Sequence, residues 1–185
     1  MVGRLPRTLT VNGKEYNIRS DYRDCITILT AFTDRELSDE AKILVTVQIM
    51  YKEPIPRKDI MEAYNQAVWF LNCGDTIRKP QTSVPKFSWT QDEQLIFSAV
   101  NKVAGKEVRT LDYMHFWTFI GLFNEIGEGA FATVVSIRSK KQKNQKLEKW
   151  EKEFYRNNKD MIDLKTELTS KEKEEQNEVN KLLGI

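Results

Sequence analysis

The sequence predicts a mainly α-helical fold, a helical domain that opens with a β-hairpin and closes with a long charged helix. Three observations carry this. Asn12-Gly13 lies between two short runs of alternating residues, apolar residues recur at helical spacing through most of the chain beyond them, and lysine and glutamate dominate from about residue 138 onward.

In the opening "TLTVNGKEYNI", Asn12-Gly13 is the dipeptide that suits a two-residue type I′ turn. Val11 then faces Lys14 and Leu9 faces Tyr16, and the two-residue pleat puts Leu9, Val11, Tyr16 and Ile18 on one face. A lone hairpin is marginal in water, so this face is expected to cover a helical body. Ser20-Asp21 suits the start of a helix carrying Ile26, Leu29 and Phe32. Ser38, followed by Asp39 and Glu40, marks a second start, with acids where the helix dipole favours them. That helix runs through Ile43, Leu44, Val47 and Met50 and stops before Pro54. Pro56 suits the first turn of a third helix bearing Ile60, Tyr64, Ala67, Val68 and Leu71, which Cys73-Gly74 ends.

Residues 74–87, with two prolines and several small polar residues, read as a linker between two halves. Thr90 and Glu93 form a T-x-x-E capping box before Leu95, Ile96, Ala99, Val100 and Val103, and Gly105 closes that helix. Thr110 is the expected start of the next, with Tyr113, Phe116, Trp117, Ile120 and Phe123 as a core stripe. Gly127 and Gly129 read as a structural turn, after which "AFATVVSIRS" resumes as a helix or an extended segment. The helical domain with its hairpin is assigned to residues 1–142, and residues 143–185 to a charged amphipathic helix with a polar, fraying end.

Between residues 138 and 149, Arg138, Lys140, Lys141, Lys143, Lys146 and Lys149 form a basic cluster with one acid, Glu148. Beyond it, Glu148–Lys152 and Glu167–Lys171 have the favourable i,i+4 order. Leu147, Trp150, Phe154, Met161, Leu164 and Leu168 fall on heptad-type positions, with Asn157 interrupting one of them. Such a stripe needs a partner: the protein's own body, a second copy or another protein.

Several function classes lose their basis in the sequence. "IGEGAFATVV" (126–135) approaches the kinase phosphate loop G-x-G-x-x-G-x-V, but Ala132 replaces the third glycine and no H-R-D or D-F-G comes after it. One histidine, His115, cannot build a multi-imidazole zinc site, and it lies among aromatic residues as a packed histidine would. Cys25 and Cys73 match no C-x-x-C pattern and suit a reducing cytoplasm. Neither a signal-peptide core nor a membrane-length apolar run is present. The expectation is a non-enzymatic protein-binding module with no cofactor, no metal and no membrane association. The alternative is a nucleic-acid-binding accessory protein that uses the 138–149 cluster; a net charge of only +2 weighs against it.

Six stretches in order resemble the bacteriophage gene-product-fifteen family: "LTVNGKEYNIRSDYRDCI", "LSDEAKILVTVQIMYKEPIP", "EAYNQAVWFLNCGD", "FSWTQDEQLIFSAV", "LDYMHFWTFIGLF" and "VVSIRSKK". The resemblance covers residues 5–142, and Thr118 departs from a frequently basic position of the family. These are small proteins encoded next to the tape-measure protein of long, non-contractile phage tails. The resemblance implies a tail assembly chaperone or adaptor for the tape-measure protein, with the tail-tube protein as a further partner and self-association open. It also implies action in the host bacterial cytoplasm and absence from the mature virion. The family has no catalytic residues to carry over. The stripe from Leu147 to Leu168 is the candidate partner surface, with the basic cluster orienting it.

Overall fold

In the computed structural model, which describes residues 3–75, 85–165, 169, 172 and 174, Asn12 and Gly13 take φ of 46° and 83°. Both lie in the left-handed region that a type I′ turn requires. Strands β1 (Thr8–Val11) and β2 (Lys14–Asn17) pair antiparallel, with Leu9 opposite Tyr16 and Val11 opposite Lys14. Leu9, Val11, Tyr16 and Ile18 are all buried. Their face lies on α3 (Ile60–Leu71), so the hairpin does cover a helical body.

Helix α1 (Tyr22–Thr33) begins where Asp21 accepts the Arg23 amide at 2.9 Å, an N-cap that satisfies one otherwise orphaned donor. The second Asp21 oxygen accepts the Met114 amide at 3.0 Å, so one carboxylate fastens two distant segments. The buried line of α1 is Tyr22, Cys25 and Ile28, and Ile26, Leu29 and Phe32 flank it half-buried. The buried face is therefore rotated from the expected one: Tyr22 leads it because it stacks on Phe119, with ring centroids 4.5 Å apart.

Helix α2 (Asp39–Met50) is capped by Ser38, whose hydroxyl accepts the Ala41 amide. Leu44 points to solvent at 52 % exposure, while Val47 and Met50 are buried. Arg19 closes the far end of α2 by donating to the carbonyls of Gln48, Ile49 and Tyr51. A short 3-10 turn at Arg57–Asp59 comes after Pro56 and leads into α3, whose innermost residues are Ala63, Ala67, Phe70 and Leu71. Cys73 and Gly74 at φ of 56° and 84° end it.

Two expected helix starts move. The Thr90–Glu93 box does not form, because Asp92 turns inward, accepts the Ser88 amide at 2.9 Å and pairs with Arg138. Ser88 instead accepts the Gln91 amide, and α4 runs over Glu93–Ala104 to Gly105 in the left-handed region. Thr110 belongs to a 3-10 turn (Val108–Thr110), and α5 starts at Phe116 and ends at Asn124. Met114 is tied to Tyr22 and Asp21, and His115 caps α5 through its ring, which leaves Tyr113 outside the helix and 43 % exposed.

Gly127 and Gly129 lead into α6 (Ala130–Gln142), so "AFATVVSIRS" is helical. Neither glycine has a left-handed φ, and a Cβ on either would meet nothing within 4 Å. The turn is real, but nothing in its geometry demands glycine.

Over residues 143–165, the described part of the expected terminal helix, the chain forms two short helices, α7 (Lys149–Asn157) and α8 (Lys159–Ile162), broken at Asn158. Asn157-Asn158 are poor helix formers, and the Asn158 side chain donates to the Phe154 carbonyl at 2.9 Å, which replaces helix continuation with a local bond. In the layered arrangement α2 lies between α1 and α3, α5 packs on α1 and α4, and α6 packs beside α4. The main core joins the hairpin to α1–α5 and to Phe131 of α6. A second, smaller cluster forms where α8 meets α6.

Candidate interaction surface: a C-terminal clip on helix α6

Helix α6 presents Val134, Ile137, Arg138 and Lys141 along one line, the i, i+3, i+4, i+7 spacing of a single face. Val134, Ile137 and Ile162 are fully buried there, bordered by Leu95, Leu147, Phe154, Tyr155 and Met161. Residues 143–163 thus fold back over α6 as a clip.

Arg138, read from the sequence as one of six basic surface residues, is 4 % exposed. Its guanidinium makes a two-pronged pair with Asp92, at 2.6 and 2.9 Å, an optimal use of the planar fork. Its remaining donors go to the carbonyls of Met161, Ile162 and Lys86. Each of its donating nitrogens is engaged, and they bind the start of α4 to the end of α8.

Lys140 donates to both oxygens of Glu151, at 2.7 and 2.8 Å. Glu151 also accepts the Glu148 amide at 2.8 Å, which fastens the first turn of α7. The bond from Lys140, with help from that amide, holds the Glu151 carboxyl below the usual range. Lys141 contacts Asp163 at 2.6 Å and lies over the Tyr155 ring, 3.8 Å from its centroid. The Tyr155 hydroxyl donates to the other Asp163 oxygen. Gln91 receives the chain as it leaves: its amide nitrogen donates to the Asp163 carbonyl and its oxygen accepts the Lys165 amide.

The basic cluster therefore divides: Arg138, Lys140 and Lys141 are ion-paired within the fold, and Lys143, Lys146 and Lys149 are exposed. The apolar stripe divides as well. Leu147, Phe154 and Met161 lie half-buried on the α6 cluster, Leu164 is half-buried, and Trp150 is 58 % exposed. Leu168, like the Glu167–Lys171 pair, lies outside the described residues. Asp92, Glu151, Tyr155, Ile162 and Asp163 are members of this surface that sequence reasoning does not single out. Asn157 on a heptad position is the available signal, since a helix broken there can turn both halves onto α6.

The remaining chemistry-bearing groups serve the fold. His115 is 3 % exposed, with its Nε2 2.9 Å from the Pro6 carbonyl and its Nδ1 accepting the Trp117 amide. Only a neutral ring protonated on Nε2 makes both bonds. Cys25 is fully buried, and burial pushes its thiol far above the ordinary range, the opposite of an activated nucleophile. Among the described residues, no group of three or more His, Cys, Asp or Glu is placed to hold a metal ion. None of their helices is long and apolar enough to cross a membrane.

The family model described as bacteriophage Gp15 protein matches residues 1–164 of this chain. The chain belongs to the bacteriophage Gp15 family. It is a phage protein, mainly helical with an N-terminal hairpin. The match extends past residue 142, where the six-stretch resemblance stops, and takes in α7 and α8. The clip thus falls within the Gp15 match, one residue short of its end. No curated protein and no solved structure matches this Gp15 chain.

Proposed function

We propose that this Gp15 protein acts in tail morphogenesis as a non-enzymatic chaperone or adaptor that binds the tape-measure protein in the host cytoplasm and leaves before the virion is complete. The observation that carries this reading is the family match over residues 1–164, taken with the genomic neighbourhood its resemblance implies. The chemistry of the chain supports a binding role. Its histidine is a helix cap, its buried cysteine is deactivated, and its most buried cation is spent on an internal pair.

A long helical client is best held by repeated modest contacts, because tight binding would prevent release. Apolar groups on or near the surface suit that requirement: Trp150, Leu44 and Met61 are each more than half exposed. The nucleic-acid alternative keeps fewer free charges than the sequence suggested, because three of the six basic residues are engaged internally.

The test is affinity purification of the tagged chain from cells producing the phage, alongside a protein inventory of purified particles. The tape-measure protein should co-purify, and the chain should be missing from the particles. Presence of the chain in finished particles would make it a structural component. Recovery of nucleic acid alone, in a complex lost steeply as salt rises, would favour the alternative.

A further inference from the structure

We propose that the face of α6 beneath the C-terminal clip is itself a helix-binding surface, that the clip is its intramolecular placeholder, and that its occupant during function is an amphipathic helix of the partner protein with carboxylates flanking its apolar residues. This rests on the chaperone reading above and names the surface it would use.

The clip is built to be replaced. Its apolar contact is small and separate from the main core, with Val134, Ile137 and Ile162 as its only fully buried members among the described residues. It is joined to α6 by residues 143–148, which contain no helix and turn through Asn144 at a φ of 52°. Its short helices could not hold together in water unaided, so the clip persists only while docked.

Undocking also leaves no buried charge stranded, the condition that usually makes such a rupture prohibitive. The Lys140 and Lys141 side chains are already 31 % and 35 % exposed, and Glu151 and Asp163 would move into water. Arg138 would lose the carbonyls of Met161 and Ile162 but keep Asp92 and the Lys86 carbonyl. The surface uncovered is an apolar strip, Val134 and Ile137 beside Leu95, with Lys140 and Lys141 next to it.

The clip states the chemistry of the occupant. It places a carboxylate, Glu151, one turn before Phe154 and Tyr155, and a second, Asp163, directly after Met161 and Ile162. A single partner helix meets the same two lysines only with its carboxylates closer in sequence than Glu151 and Asp163, which the clip brings to Lys140 and Lys141 through its break at Asn158. Because the clip is tethered, it competes at an effective concentration on the order of millimolar, which sets the threshold a partner must exceed.

The test uses the full chain and a fluorescently labelled synthetic peptide identical to residues 146–165. Binding is measured to the wild-type chain and to the Glu151→Gln/Asp163→Asn variant, whose own clip lacks both lysine contacts. Hydrogen exchange on both proteins checks that α1 and α5 stay protected while the clip loosens. The peptide should bind the variant about tenfold more tightly than the wild type, in line with the loss of two modest ion pairs from the competitor. A control peptide with lysine at both carboxylate positions should bind neither. Equal binding of the native peptide to both proteins, no binding to a variant with an open clip, or a clip that exchanges as slowly as the core would each overturn the proposal. None of these readouts involves the tape-measure protein. Failure of that partner to co-purify would count against the chaperone reading and leave the surface assignment standing.

Discussion

His115 shows how one side chain can couple the fold to pH. Burial is the main cause of its lowered pKa, with Arg7 lowering it further and the Pro6 carbonyl acting in the other direction. The unfolded chain therefore takes up a proton near pH 6.5 before the folded one does. Stability is complete above that value and declines as pH falls through the lower folded value, by at most about 1.4 kcal/mol per pH unit. Denaturant unfolding of His115→Asn, which retains a cap acceptor, should lose this decline below about pH 6.5. Asp24 works in the opposite sense at lower pH: burial and the neighbouring Asp21 raise its pKa, so protonation favours the fold.

Two glycines of similar φ separate backbone strain from crowding. At Gly105 a methyl group would meet nothing within 4 Å, and Gly105→Ala should cost only the left-handed backbone penalty, about 1–2 kcal/mol. At Gly74 it would lie 3.2 Å from the Trp117 ring and 3.3 Å from that of Trp69. Gly74→Ala should therefore lower the thermal midpoint further than Gly105→Ala. Equal midpoints would show that the tryptophan pair yields freely. Asp92→Ala would strand the buried Arg138 guanidinium and should cost about 3–5 kcal/mol. Adding Arg138→Met should cost less than the two single changes summed, a coupling that a double-mutant cycle measures.

At the scale of elements, the features legible in the sequence are those whose cause is local. The hairpin register stems from Asn12-Gly13, and the starts at Asp21 and Ser38 and the stop at Gly105 stem from single residues that satisfy or release backbone groups. Where a distant residue decides, the sequence misleads. Asp92 is drawn inward by Arg138, 46 positions away, and this displaces the Thr90 box. Met114 is held by Asp21, 93 positions away, and this moves the start of α5. The clip is legible in its parts and hidden in its arrangement. The stripe and the basic residues stand out in the sequence, but pairing Lys140 with Glu151 and Lys141 with Asp163 requires the chain to reverse. Two substitutions check that arrangement. Trp150→Ala, at an exposed position, should change stability by no more than about 0.5 kcal/mol. Phe154→Ala, at the α6 cluster, should cost about 1–3 kcal/mol and speed hydrogen exchange across 149–163. The opposite order of effects would mean that α7 docks by its other face.

At the scale of the molecule, two packing units of unequal size share one chain. The main core binds the hairpin to six helices, α6 through Phe131, and the clip closes a smaller cluster with ion pairs at its edges. Local opening begins where few apolar contacts are made, so the clip is the element expected to respond to a partner while the main core stays intact. That division suits the proposed role of holding a long client briefly and then letting it go. The most direct measurement of the central claim is co-expression of the tape-measure protein with and without this Gp15 chain, reading the soluble tape-measure fraction and its co-migration on size exclusion. Soluble tape-measure protein that co-migrates with the chain, and aggregates when the chain is omitted, is the expected result. A soluble fraction that is unchanged by the chain, with no co-migration, would contradict the account.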